Sequence, residues 1–275
     1  MSRRLALRSE TSADLIPAAR RARPLDLVRK DGAISIQRLA DEIGVSISTA
    51  RRDLDFLTAA GYLERSHGGA TLSVRLRTTF EPPSDITHEI AKPAKVAIGR
   101  HAASLVEHGQ SLILDSSSTV LEAAHALAER DLALTVVTND LRIAVALSSL
   151  PKVELIMPGG QVRPGSFTLV GSSTRAAIQS LRADVAFIGV HSLANLRPSE
   201  TSLEVASVKR SLIEAANRVI LLLDSSKFEQ SAFCEICPIG CIHEVISDEG
   251  MDTENRRGLE QLNIRVTLVP VPGER

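Results

Sequence analysis

Five side chains within seven positions, Ser46, Ser48, Thr49, Arg51 and Arg52, form a run of hydroxyl and guanidinium donors. Such groups hydrogen-bond phosphate oxygens and base edges in the major groove of duplex DNA. Gln37 lies just upstream, and Arg65 and His67 follow downstream. A second cluster, Asp115-Ser116-Ser117-Ser118-Thr119, sets one carboxylate and four hydroxyls side by side ahead of a helical pattern. Free amides at a helix N-terminus favour an anion there, whereas a single cap by Ser117 or Ser118 is the plainer reading. A third cluster, Cys234, Cys237 and Cys241 with His243 behind, has a spacing that zinc could use. Free cysteine also buries as a small hydrophobe, and these three are read as packing thiols. No metal, cofactor or catalytic residue is assigned.

The first cluster needs two helices to present it. Leu39, Ala40 and Ile43 predict a short helix over 37–43, which Gly44 breaks. Val45, Ala50, Leu54 and Leu57 predict a second helix, with the donor run on its outer face. This is a helix-turn-helix pattern. Gly61 ends the second helix, residues 62–65 and 70–73 read as strands, and Ser66-His67-Gly68-Gly69 as the turn between them. The module is therefore winged, with His67 and Arg65 at the wing. A helix over 17–30, started or kinked at Pro24, packs Leu25, Leu27 and Val28 behind it. Its Arg20, Arg21 and Arg23 either reach phosphates or line a solvated face.

Residues 1–15 read as a flexible N-terminus. Arg3, Arg4 and Arg8 have no apolar stretch behind them and so do not make a secretory signal. Residues 74–83, rich in Arg and then Pro, read as linker. A helix over 86–108 is expected, with Lys92 and Lys95 exposed. Short apolar strands are then expected at 111–114, 133–137, 153–157, 184–188, 219–223, 244–246 and 265–269, with helices among them. That alternation predicts a mostly parallel α/β sheet. Ligands of such sheets bind beyond the carboxyl ends of the strands, which brings Asn139, Gly160 and Lys227 to the rim that holds 115–119.

The domains expected are a flexible N-terminus (1–15), a winged helix-turn-helix (16–74), a linker (75–91) and an α/β domain (92–275). Residues 1–75 carry 13 Lys and Arg against 9 Asp and Glu, although the whole chain is near neutral at −1. A basic head on an acidic body fits one DNA-binding domain and one that does not bind DNA. No apolar run suits a membrane helix.

Thr49-Ala50-Arg51-Arg52-Asp53-Leu54, and the run from Gly61-Tyr62-Leu63 to His67-Gly68-Gly69-Ala70, resemble the DeoR family of bacterial transcriptional regulators. Ala50 stands where the family usually has Ile. Beyond the head, 115–119, 136–139, Gly159-Gly160, Leu169-Val170-Gly171, 184–189, 204–210 and 224–228 are similar to the family's effector domain. The resemblance implies a fold related to ribose-phosphate isomerase and a phosphorylated sugar as effector. It places Glu204 where those enzymes hold their base, but Ile188 and His191 where they hold further carboxylates. The implied protein is a sensor without catalysis. Ser117 replaces a usual Gly, and 194–199 lacks a usual Gly, which bears on pocket shape.

The expectation is a cytoplasmic DNA-binding regulator, a repressor of carbohydrate-metabolism genes, forming a dimer or tetramer on operator DNA. Gln37, Ser46, Ser48, Thr49, Arg51, Arg52, Arg65 and His67 are its expected DNA contacts. Asp115, Ser116, Ser117, Ser118, Thr119, Asn139, Gly160, Glu204 and Lys227 are its expected effector contacts. The alternative is an isomerase-like enzyme fused to a DNA-binding head. A third option is an α/β domain that only oligomerises.

Overall fold

The computed structural model describes residues 17–72, 78–79, 81, 84–228 and 231–272. The expected flexible terminus at 1–15 and most of the expected linker at 74–83 lie outside the described residues. The chain divides into two compact units, Met1–Arg77 with Asp85–Ile90, and Thr78–Ser84 with Ala91–Arg275.

In the first unit, α1 (Pro17–Asp31) runs through Pro24 and buries it together with Leu25, Leu27 and Val28. A strand not foreseen from sequence, β1 (Ala33–Ser35), follows. Then come α2 (Ile36–Glu42), capped by Ser35, and α3 (Ile47–Ala59), capped by Ser46. The wing is β2 (Leu63–Ser66) and β3 (Gly69–Leu72), and β3 pairs with β1 as well as β2. Both wing glycines have a backbone reason. Gly68 turns at φ +81°, and a Cβ on Gly69 would stand 2.0 Å from the Ile34 carbonyl oxygen. The missing strand β1 is thus what makes the second glycine necessary.

The helix expected over 86–108 is two helices, α4 (Ser84–Glu89) and α5 (Lys92–Ser104), separated by Ala91 at φ +51°. Pro93 lies in the first turn of α5, where no amide partner is needed, and would break a continuous helix. Lys95, expected to be exposed, is buried in α5.

The second unit continues with β4 (Ser111–Leu114), α6 (Ser118–Ala128), β5 (Leu134–Thr138), α7 (Leu141–Leu147) and β6 (Val153–Ile156). Next are a small hairpin of β7 (Gln161–Val162) and β8 (Leu169–Val170), then α8 (Ser172–Gln179) and β9 (Ala183–Ile188). After β10 (Ser192–Ala194) and β11 (Arg197–Glu200) come α9 (Leu203–Glu214), β12 (Ala216–Leu222) and β13 (Cys234–Glu235). The chain then forms β14 (Glu244–Asp248), α10 (Thr253–Gln261) and β15 (Arg265–Val269).

All seven strands expected from sequence join one parallel sheet, in the order β15-β14-β12-β9-β4-β5-β6. Strand alternation feeds two cores. Ile113, Val137, Ala186, Ile188 and Leu221 point to one face, and Leu112, Leu114, Val136, Phe187 and Leu222 to the other. Each of these side chains larger than alanine, once buried, contributes about 1.5–3 kcal/mol. The chain leaves β4 toward β5 on one side, while β9 lies on the other, so the topological switch point falls between β4 and β9.

Gly69→Ala should destabilise the first unit by about 1–3 kcal/mol through overpacking against Ile34. The check is a lower urea midpoint followed by circular dichroism; an unchanged midpoint would mean that β1 does not pair in solution.

Candidate functional site

On the first unit the site is the outer face of α3. Ala50, Leu54 and Leu57 point inward, while Ser48, Arg51 and Arg52 are exposed. Ser46 caps the helix by accepting from the Thr49 amide at 3.2 Å, and its hydroxyl lies 2.9 Å from Ser48 Oγ and 3.0 Å from Thr49 Oγ1. Arg52 lies back along the helix, with Nε 3.3 Å from the Ser48 carbonyl oxygen. Gln37, on α2, is exposed and donates to Asp41 Oδ1 at 3.1 Å. His67 is exposed at the wing turn, and Arg65 pairs with Asp55 of α3, tying wing to helix.

Asp53, one position after Arg52, faces the interior instead. It is buried and takes Arg20 Nε at 2.6 Å and Arg21 Nε at 3.5 Å, and the Arg21 guanidinium stacks 3.9 Å over Phe56. The hydrogen bond to Asp53 holds the Arg20 pKa above its ordinary value. Both arginines, open between phosphate contact and solvated face on sequence grounds, therefore brace α1 against α3. Arg23 is exposed.

On the second unit, parallel pairing places the carboxyl ends of β4, β5, β6, β9 and β12 on one rim. Residues 115–119 enter α6 there, with Ser117 as N-cap accepting from the Thr119 amide at 3.2 Å. Ser117 also sits against Gly189, where a Cβ would come within 2.1 Å of its hydroxyl. Ser116 donates its amide to Asn139 Oδ1 at 3.0 Å and its hydroxyl to Asp140 Oδ2 at 2.7 Å. Ser118 is half-buried in the first turn of α6 and Thr119 is buried. Gly160, at φ +120°, packs where a Cβ would strike Thr174. Lys227 is half-buried on a short 3-10 turn, Ser225–Phe228, after β12. Glu204 is exposed in the first turn of α9, so it is not a packed structural carboxylate.

The centre of the rim holds a group that sequence reasoning missed. Lys209 of α9 is 2% exposed and its ammonium pairs with Asp115, with Glu200 Oε1 at 3.4 Å, and with the Gly189 carbonyl oxygen at 2.7 Å. Asp115 Oδ2 also accepts the Gly189 amide at 3.1 Å, whereas Oδ1 is buried with no hydrogen-bond partner. Burial raises the Asp115 and Glu200 carboxyls above their ordinary values, against the pull of Lys209. Burial alone would lower Lys209, but the two carboxylates outweigh it and hold the ammonium above its ordinary value. The available signal was Lys209 itself, an apolar-faced lysine between Val208 and Leu212 on a helix. Asp140, which with Thr138 and Asn139 was read as one of the polar strand ends on this rim, caps α7, and its partner Arg142 stacks 4.7 Å over Phe167.

Among the described residues, no group of three His, Cys, Asp or Glu is arranged to hold a metal, and no helix is long and apolar enough to cross a membrane. Cys237 is buried, and burial followed by the neighbouring Cys241 pushes its thiol up to about 12. Cys234 is half-buried, but Cys241 is exposed, so packing does not account for all three.

Residues 20–75 match the DeoR-like helix-turn-helix domain and residues 91–249 the DeoR C terminal sensor domain. Similar proteins include the uncharacterized HTH-type transcriptional regulator YgbI of Escherichia coli K12, 33% identical over 92% of this chain and 98% of its own. Transcriptional repressor AccR of Agrobacterium fabrum is 30% identical over 85% and 90%. The lactose phosphotransferase system repressor of Lactococcus lactis is 27% identical over 89% and 95%. Ribose 5-phosphate isomerase A of Methanocaldococcus jannaschii superposes on 49% of this chain and 53% of its own, at 16% identity and a TM-score of 0.37. That superposition is too loose to bear on function.

Lys209→Met should cost about 3–5 kcal/mol of stability, because it strands two buried carboxylates. Glu200 gives a pH test. Its raised pKa means that the folded chain keeps a proton which the unfolded chain releases just above 4.5, so stability falls as pH rises through that window. Glu200→Gln should flatten this fall in thermal melts; an unchanged slope would mean that Glu200 is ionised beside Lys209 throughout.

Proposed function

The chain belongs to the DeoR family of bacterial transcriptional regulators, and from that premise we propose that it is a repressor whose operator affinity is set by a phosphorylated sugar. It is a DNA-binding regulator and not an enzyme. The finer assignment covers residues 16–74 as the DNA-binding domain, 75–91 as linker and 92–275 as the sensor. On this reading Ser48, Thr49, Arg51 and Arg52 meet the major groove, with Gln37, Ser46, Arg65 and His67 at its edges. The phosphate sits at the N-terminus of α6, over 115–119, with Lys227 as its countercharge. Glu204 meets a sugar hydroxyl, and Asn139 and Gly160 shape the loop around it.

One observation carries the sensor half. Asp115 Oδ1 is buried without a partner at the switch-point rim, two residues ahead of Ser117, which caps α6. An unsatisfied buried acceptor is costly, by about 1–3 kcal/mol, and a ligand hydroxyl would relieve it. A sugar phosphate brings both a hydroxyl donor and an anion. Relatives named as repressors, one of them of a sugar phosphotransferase system, agree with this reading. One recognition helix per chain covers few base pairs, so a dimer or tetramer on repeated half-sites is part of the proposal, as is a cytoplasmic location.

Fluorescence anisotropy of the full chain on its own upstream DNA, at fixed salt, tests both halves. Arg52→Ala should weaken binding by about 1–3 kcal/mol. One phosphorylated sugar should shift the affinity and its unphosphorylated form should not. DNA binding that no phosphosugar moves would sink the sensor half alone.

A further inference from the structure

Glu81 belongs to the second unit, although it follows the DNA-binding head in sequence. Its Oε2 accepts from Arg163 Nη1 at 2.5 Å and from Thr201 Oγ1 at 3.3 Å. Neither donor is an isolated surface group. Arg163 follows β7, and its amide donates to the Thr168 carbonyl oxygen at 2.9 Å. Thr168 Oγ1 in turn lies 2.7 Å from Ser116 Oγ, in the loop that enters α6. Thr201 is buried, and it follows Glu200, which pairs with the ammonium that holds Asp115. Both donors are therefore anchored to the rim lattice.

A guanidinium and a hydroxyl converging on one oxygen suit any compact anion, and a phosphate better than a carboxylate because it offers more charge and more acceptors. We propose that Arg163 and Thr201 are an anion-recognition point of the effector site, filled in this structure by Glu81, whose place an anionic group of the effector takes. The inference rests on the effector reading of the rim. Glu81 is 36% exposed on its side chain and Arg163 25%, so their ion pair is screened and weak enough to exchange. Glu81 also acts on the buried cluster, since after burial its charge is among the causes that raise the Glu200 carboxyl. Its departure removes that repulsion.

The test titrates inorganic phosphate against the full-length protein by thermal shift at constant ionic strength, with chloride as the control. Glu81→Gln is isosteric and removes only the competing charge. It should lower the phosphate midpoint by about fivefold, the scale of an exposed ion pair. Adding Arg163→Ala to Glu81→Gln should abolish that gain. Glu81→Asp, which keeps the charge on a shorter arm, should fall between wild type and Glu81→Gln, and it guards against a fold effect of the amide. If wild type responds to phosphate and Glu81→Gln titrates identically, the displacement is refuted while the sensor reading stands. If the gain survives Arg163→Ala, Arg163 is not the recipient and the proposal fails. If no variant responds, the anion-recognition point is refuted, and the sensor reading is decided separately by the DNA titration with phosphosugars.

Discussion

A lysine ammonium buried between two carboxylates is the constraint from which the sensor rim follows. Taking Lys209 out of water costs several kcal/mol unless charge and hydrogen bonds replace the lost hydration. Asp115 at the end of β4, Glu200 at the end of β11 and the Gly189 carbonyl after β9 supply the replacements. These groups come from separate parts of the chain, so satisfying one ammonium fixes the ends of β4, β9 and β11 against the middle of α9. The Gly189 amide returns to Asp115, which leaves that loop no freedom to drift. Ser117 nests against Gly189, and α6 therefore begins at a place set by Lys209.

The head uses the same device at smaller scale. Three successive residues on a helix point about 100° apart, so Arg51 and Arg52 can face outward while Asp53 faces in. A buried carboxylate on the recognition helix would be costly alone, and Arg20 and Arg21 offset it. The result is that α3 is registered against α1 by charge as well as by the Leu54 and Leu57 packing. Arg21 further covers Phe56, so its long side chain stabilises through area as well as charge. The Arg-Arg-Asp run thus divides its labour, with the guanidiniums available outside and the carboxylate holding the helix in place.

Periodicity made most of this legible. The seven sheet strands were readable because each is a short apolar run bounded by polar turns, and the two helices of the turn motif because their apolar spacing is interrupted at Gly44. What stayed hidden has a common cause. β1, the β7–β8 hairpin and the β10–β11–β13 sheet are two to four residues per strand, too short for any period to show. β1 and β13 are in addition defined by partners far away in sequence. Lys95 and Lys209 were hidden because a charged residue inside a helix reads as exposed unless its partner is known. Asp115 was legible as a site residue, but its chief partner was not, since 94 positions separate it from Lys209.

The proton inventory narrows what the rim can offer a ligand. Ser116 Oγ donates to Asp140 Oδ2, so the contact with Thr168 Oγ1 must run from Thr168 to Ser116. That leaves the Ser116 hydroxyl no proton for an anion, and its amide is already given to Asn139. Ser117 holds the Thr119 amide, removing one donor from the first turn of α6. Gly160 contributes the absence of a Cβ against Thr174 rather than a polar group. A loop with four hydroxyls in a row is therefore far less generous than its composition suggests, because most of its polarity is consumed in holding its own shape. Selectivity at such a rim must come from the few groups the lattice leaves over, and Asp115 Oδ1, buried and unpaired, is the one most sharply defined.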